Sequence, residues 1–271
     1  MTGTTSLHHV RRGTGEPLLL VHGLGGSWRS WGTIVDDLAA HREVVAVDLP
    51  GHGETPPLSG EVTLERLVDA LAGFLTETGL DGVDTVGTSM GARMVLELTR
   101  RGLGRDVVAL DPGGFWTPAE RAVFGASLRA SFALVRALEP RLPALLGNPV
   151  TRTALLAQFS ARPWALRPEV PLEELRRMIS SPSLDATLDA LTAAPAQRGL
   201  PRGRAPGRVT LGWGRRDAVT LPRQAERARL TFGDAEVHWF ERTGHFPQWD
   251  APAETVALIL ARTGSASRAV A

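Results

Sequence analysis

The sequence predicts an α/β fold, a mostly parallel sheet with helices on both faces, and three observations predict it. Six short apolar runs recur along the 271 residues, separated by stretches with helical periodicity, the alternation expected of strands joined by crossover helices. Hydrophobic residues make up 43% of the chain, ample for a full core at this length. One long interval, Phe115 to Arg204, breaks the rhythm with helical periodicity, several prolines and no strand-like run, and reads as a helical insertion.

The strands are predicted at "PLLLV" (17–21), "EVVAV" (43–47), "VDTVG" (83–87), "DVVAL" (106–110), "RVTLGW" (208–213) and "EVHWF" (236–240). Continuous apolar runs of this length suit strands buried on both faces. Between them, "SWGTIVDDLAAH", "TLERLVDALAGFLTETG" and "GARMVLELTRRG" repeat apolar residues at intervals of three and four, and the last two end in glycine, as helix C-termini often do. The Pro/Gly/Arg-rich "RGLPRGRAPGR" (198–208) reads as a linker, and the tail "TGSASRAVA" as frayed. Residues 1–114 and 205–271 are therefore expected to form one core, with 115–204 as a helical cap inserted into it.

Composition excludes several functions. All 30 basic side chains are arginine, and against 29 acidic ones they leave a net charge of +1, without the excess that nucleic-acid binding calls for. The chain has no cysteine, which removes disulfides, thiolate nucleophiles and Cys-based metal sites. Its seven histidines are scattered without spaced acidic partners, so no metal and no cofactor is expected. No apolar run approaches a membrane span and the amino terminus lacks a signal-like apolar stretch, so a soluble, cytoplasmic protein is expected.

The chemistry is carried by "GTSMGA" at 87–92. Ser89 stands between Gly87 and Gly91 where a strand turns directly into a helix, a junction at which glycines permit a turn that side chains would obstruct. A serine hydroxyl is a poor nucleophile at neutral pH and needs a base, an orienting acid and oxyanion donors. "RTGHFPQWD" supplies His245 after the last strand, and "GWGRRDAV" supplies Asp217 after the preceding one, in the chain order Ser, Asp, His. Asp111, in "LDPGG", is a rival acid that only geometry can separate from Asp217. In "HGLGG" (22–26) the glycines allow close backbone approach, and the N–H of Leu24 can join that of Met90 in an oxyanion hole. His22 and His52 read as loop-ordering residues.

Together with "DLPGHGET" at 48–55 and "GHFPQWD" at 244–250, these segments make the chain similar to the α/β-hydrolase superfamily over nearly its whole length. The resemblance implies the α/β-hydrolase fold, with a mostly parallel eight-stranded sheet and a helical cap roofing the site. Phe115, Trp116 and Phe246 are the candidate substrate-binding residues. The aromatics of the insertion, Phe124, Phe132, Phe159 and Trp164 among them, either line an acyl pocket or form the cap's own core. The cap arginines Arg162, Arg167, Arg176 and Arg177 read as a solvated face.

Within the superfamily, dehalogenases and epoxide hydrolases place Asp where this chain has Ser89, dienelactone hydrolases need Cys and plant-type hydroxynitrile lyases need Lys. The expected function is a serine hydrolase cleaving carboxylic esters of apolar acyl groups through an acyl-enzyme, its substrate a small apolar molecule, with haloperoxidase-like or perhydrolase side activity. A meta-cleavage C–C hydrolase is the enzymatic alternative, since its "SMGG", "GPGG" and "GHWAQWE" segments resemble those here, although Thr88 and Phe246 depart from its pattern. A non-catalytic binding protein on the same fold is a further alternative. Oligomeric state and natural substrate are not legible.

Overall fold

The computed structural model describes residues 6–264. The strands are β1 (His9–Arg12), β2 (Pro17–Val21), β3 (Glu43–Val47), β4 (Val83–Thr88), β5 (Gly104–Leu110), β6 (Val209–Gly214) and β7 (Glu236–Phe240). They form one sheet in the order β1-β3-β2-β4-β5-β6-β7, in which β1 is antiparallel to β3 and every other pair is parallel. All six apolar runs are strands. The sheet has seven strands among the described residues, one fewer than the resemblance implies, because its antiparallel edge is the single strand β1. That strand, "HVRR", escapes a search for apolar runs because an edge strand need not be apolar on both faces.

Alternate residues of the buried strands serve two cores. Leu19 and Val21 of β2 point to one face, where α2 (Leu64–Thr78), α3 (Met90–Arg100) and α9 (Gln224–Thr231) pack. Leu18 and Leu20 point to the other, under α1 (Val35–Ala39) and α11 (Pro252–Arg262). The helix signals behave as expected at α2, which starts on the Thr63 side chain and ends at Gly79 in the left-handed region, φ 67°.

Between β5 and β6 the chain is helical: α4 (Pro118–Leu138), α5 (Leu142–Gly147), α6 (Pro149–Leu156), α7 (Glu169–Ser180) and α8 (Leu184–Ala193). A capping box of Thr117 and Glu120 with Pro118 in the first turn starts α4. These helices share a third apolar core, which Val219 and Trp249 of the sheet layer join. Buried Arg152 serves this segment as a structural donor, its guanidinium bonding the carbonyls of Pro163 and Trp164 at 2.8 and 2.9 Å. The stretch expected as a linker crosses back to β6, touching the sheet side through a bridge between Leu200 and Phe232. Among the described residues no helix is long and apolar enough to cross a membrane. Most of the tail expected to fray, from Ser265 onward, lies outside the described residues.

Candidate active site

The sheet order reverses between β2 and β4: β3 lies on one side of β2, and β4 on the other. Ligands of open α/β sheets bind beyond the carboxyl ends of strands at such a switch. Here the two ends are Val21 and Gly87, paired in register, so the turn "HGLGG" and the turn bearing Ser89 emerge side by side.

Ser89 has φ 55° and ψ −111°, a conformation costing about 1–3 kcal/mol for a residue with a side chain. It persists because its surroundings specify it. The Ser89 N–H donates to Leu110 O at 2.8 Å, and the Ser89 carbonyl accepts from Arg93 N at 3.1 Å. A Cβ at Gly87 would lie 2.3 Å from Gly91 O, and one at Gly91 only 2.1 Å from Val21 O. The two glycines are therefore demanded by the close packing of α3 on β4 and β2. The N–H of Met90 opens α3 and so has no partner within its own helix.

His245 follows β7. Its N–H donates to Phe159 O at 2.9 Å, and its loop is stapled to the inserted segment by Asp250, which accepts from Gly244 N (2.8 Å), Ala161 N (2.8 Å) and Ser160 Oγ (2.5 Å). Asp250 was not singled out from the sequence; its partners Ser160 and Ala161 lie 90 and 89 residues away in the chain. The His245 Nδ1 lies 2.9 Å from Asp217 Oδ2. Asp217 Oδ2 also accepts from Thr220 Oγ1 at 2.6 Å, and Oδ1 accepts from Val219 N at 2.7 Å and Thr220 N at 3.1 Å. Burial alone would raise this carboxyl, but His245 and the converging donors outweigh it and hold Asp217 below its usual range. An ionised partner makes Nδ1 the donor, which leaves Nε2 free to accept.

His22 and His52 are buried and bonded to the backbone of their own loops. His22 Nδ1 donates to Gly23 O at 2.7 Å and Nε2 accepts from Leu49 N at 3.0 Å, a neutral ring kept so by burial. His52, bonded to Pro50 O, is pushed down to about 3 by burial and by neighbouring His22.

Ser89, His245 and Leu24 line one cavity of about 50 Å³, room for a water or two. Its walls are mostly apolar side chains from α4, α7 and the loop after α6, together with Phe246 and, on α10 (Pro247–Asp250), Trp249. Of the residues expected to bind substrate, Phe246 lines this cavity. Phe115 and Trp116 lie elsewhere: after Gly114, at φ 101°, Phe115 packs edge-on against Phe232 and Trp116 lies over Phe124. Phe132 and Phe159 line the cavity instead. Among the described residues no arginine does, and the one carboxylate in its wall is Glu174 of α7.

Comparison with known proteins identifies the family. Residues 18–258 match the model of the Alpha/beta hydrolase family. The chain belongs to this family. The chain is 28% identical over 276 residues to the dihydrolipoyllysine-residue acetyltransferase component of the acetoin cleaving system of Cupriavidus necator, a match covering 95% of this chain but 66% of that protein, just under two thirds. It is 29% identical over 275 residues to a 2-hydroxymuconate semialdehyde hydrolase of a Pseudomonas species, covering 94% and 88% of the two chains. Among solved structures, a thermophilic esterase from Thermogutta terrifontis superposes with a TM-score of 0.72 at 22% identity, over 94% and 92% of the chains. At that identity the likeness is one of fold.

Proposed function

We propose that this hydrolase cleaves carboxylic esters with apolar acyl groups through an acyl-enzyme on Ser89. The observation that carries the reading is the strained Ser89 turn facing the same apolar cavity as His245, whose ring is held by an ionised Asp217. In the first half-reaction Ser89 Oγ attacks the ester carbonyl, and His245 Nε2 takes its proton and passes it to the leaving alcohol. Asp217 keeps the ring in the productive tautomer and stabilises the imidazolium. The N–H groups of Leu24 and Met90 face the developing oxyanion. Water, activated by the same histidine, then releases the acid. A cavity of about 50 Å³ does not hold an ester, so the helices of 118–193 act as a cap that shifts to admit one.

The identity to a 2-hydroxymuconate semialdehyde hydrolase favours C–C cleavage as the second reading. Against it, a substrate carrying a carboxylate needs a cation to offset its desolvation, and the cavity wall offers Glu174 in place of an arginine. Ser89→Ala is expected to abolish labelling by a fluorophosphonate and all ester turnover, with the melting temperature within a few degrees of the parent. An alanine variant that still turns over p-nitrophenyl butyrate overturns the nucleophile. A dienol carboxylate cleaved faster than every ester replaces the ester reading with C–C cleavage.

A further inference from the structure

The wall of the active-site cavity contains a carboxylate that the proposed reaction does not use. Glu174 lies one turn before Met178 on α7, the helix that covers the "HGLGG" turn: a Cβ on Gly25 would meet Met178 Cγ at 2.4 Å. Its side chain is 14% exposed, whereas that of Glu173 beside it is 67% exposed. One oxygen accepts from Ser30 Oγ at 2.5 Å, and Ser30 is itself fixed by Ser27 N, which donates to its hydroxyl at 3.1 Å. The other oxygen faces Arg177 Nη2 at 3.2 Å. Arg177 also reaches Glu173 at 3.4 Å, so one guanidinium is shared between two carboxylates.

Glu174 also borders a second hollow, of about 170 Å³, whose charged lining is Arg29, Arg167, Arg177, Glu169 and Glu173. The arginines sit on that side. Toward Ser89 the surroundings are Leu175, Met178, Phe132 and Trp249, which cannot solvate an ion. A substrate carboxylate entering there would be desolvated beside a like charge, while a cation would gain a partner already held in place by Ser30. Burial raises the Glu174 carboxyl above its usual range, partly offset by Ser30 and Arg177, and a bound cation favours its ionised form.

We propose that Glu174 selects substrates by charge, so that the pocket takes esters whose acyl chain ends in a cationic group and rejects those ending in a carboxylate. The proposal rests on the ester-hydrolase reading for its kinetic test and stands apart from it in a binding test. Three p-nitrophenyl esters of similar length separate the terms at about pH 8, chosen because alkaline conditions favour the carboxylate: 4-(trimethylammonio)butanoate, the neutral 5,5-dimethylhexanoate, and the monoester of adipate. The expected ratio of kcat/KM between the cationic and the carboxylate ester is roughly 100-fold or more in the parent. Glu174→Gln, which keeps an acceptor for Ser30, brings it to within about fivefold. Glu174→Ala, checked for folding by its melting curve, does the same. A ratio near one in the parent, or one that Glu174→Gln leaves unchanged, overturns the proposal. Calorimetry with the matching n-propyl amides, in the parent and in Ser89→Ala, reads charge selection without turnover. Tighter binding of the cationic amide with no ester cleaved sinks the ester reading alone, and ester cleavage without charge preference sinks this inference alone.

Discussion

The turns after β5 and β6 each bury an aspartate, and the two are in opposite states. Asp217 receives four hydrogen bonds, from Val219 N, Thr220 N, Thr220 Oγ1 and His245 Nδ1. Asp111 is fully buried with φ 48°, and its Oδ1 accepts from Gly214 N at 2.9 Å while no donor group among the described residues reaches Oδ2. Burial first, and the Asp217 charge second, push the Asp111 carboxyl well above its usual range. One oxygen of Asp111 approaches both Asp217 and His245 within 4.8 Å. The opposite shifts favour the protonated form at Asp111, whose O–H would then donate to Asp217, and the carboxylate at Asp217. The number of donors aimed at a carboxylate, more than its depth, decides which of two neighbours carries the charge.

Exchanging the two tests that difference most strongly. Asp217→Asn is expected to lower kcat on the order of 10⁴-fold by favouring the wrong imidazole tautomer, whereas Asp111→Asn, which imitates the neutral acid, costs less than about tenfold. Steady-state rates on one ester check the ranking, and its reversal would hand the role to Asp111. Next in size is Thr220→Val. Losing a hydroxyl bonded to a charged oxygen should lower kcat/KM roughly tenfold, with Asp217 less firmly held; an unchanged rate would make the 2.6 Å contact incidental.

The smallest effect is on stability. Asp111 binds its proton more tightly in the folded protein than in the unfolded chain, where it ionises near its ordinary value of about 3.9. The stability it contributes is therefore fully present below about pH 4 and is lost as pH rises toward the raised folded value. Asp111→Asn does not ionise and escapes that loss. Urea unfolding at a series of pH values should show the variant gaining on the parent as pH rises through the weakly acidic range. Curves that stay parallel would mean that Asp111 is ionised in the fold.

The strands and the three motif turns were legible because they depend on local properties. Runs such as "PLLLV" are apolar throughout because parallel strands are covered on both faces, and glycines at 87 and 91 mark a backbone with no room for a Cβ. The motif order Ser89, Asp217, His245 was readable for the same reason, each residue being tied to a strand end. Three assignments lay beyond local reading. Asp111 and Asp217 both follow strands, and only the donors folded around each distinguish them. Phe115 and Trp116 follow the "DPGG" turn, yet the direction of that turn removes them from the cavity, while Phe132 and Phe159 reach it from a helix and a loop that nothing in their own sequence aims.

Glu174 is the sharpest case. In "LEELRRM" it is indistinguishable from Glu173, because on a surface helix both are ordinary charged residues. Packing α7 over the "HGLGG" turn buries one against Ser30 and leaves the other exposed, a difference of one helical position, about 100° around the axis. Amino-acid order determines which backbone conformations and which chemical groups are available along each element. Which groups meet in a cavity, which carboxyl keeps its proton and what charge a substrate encounters depend on contacts between residues distant in the chain, and only the folded arrangement decides them.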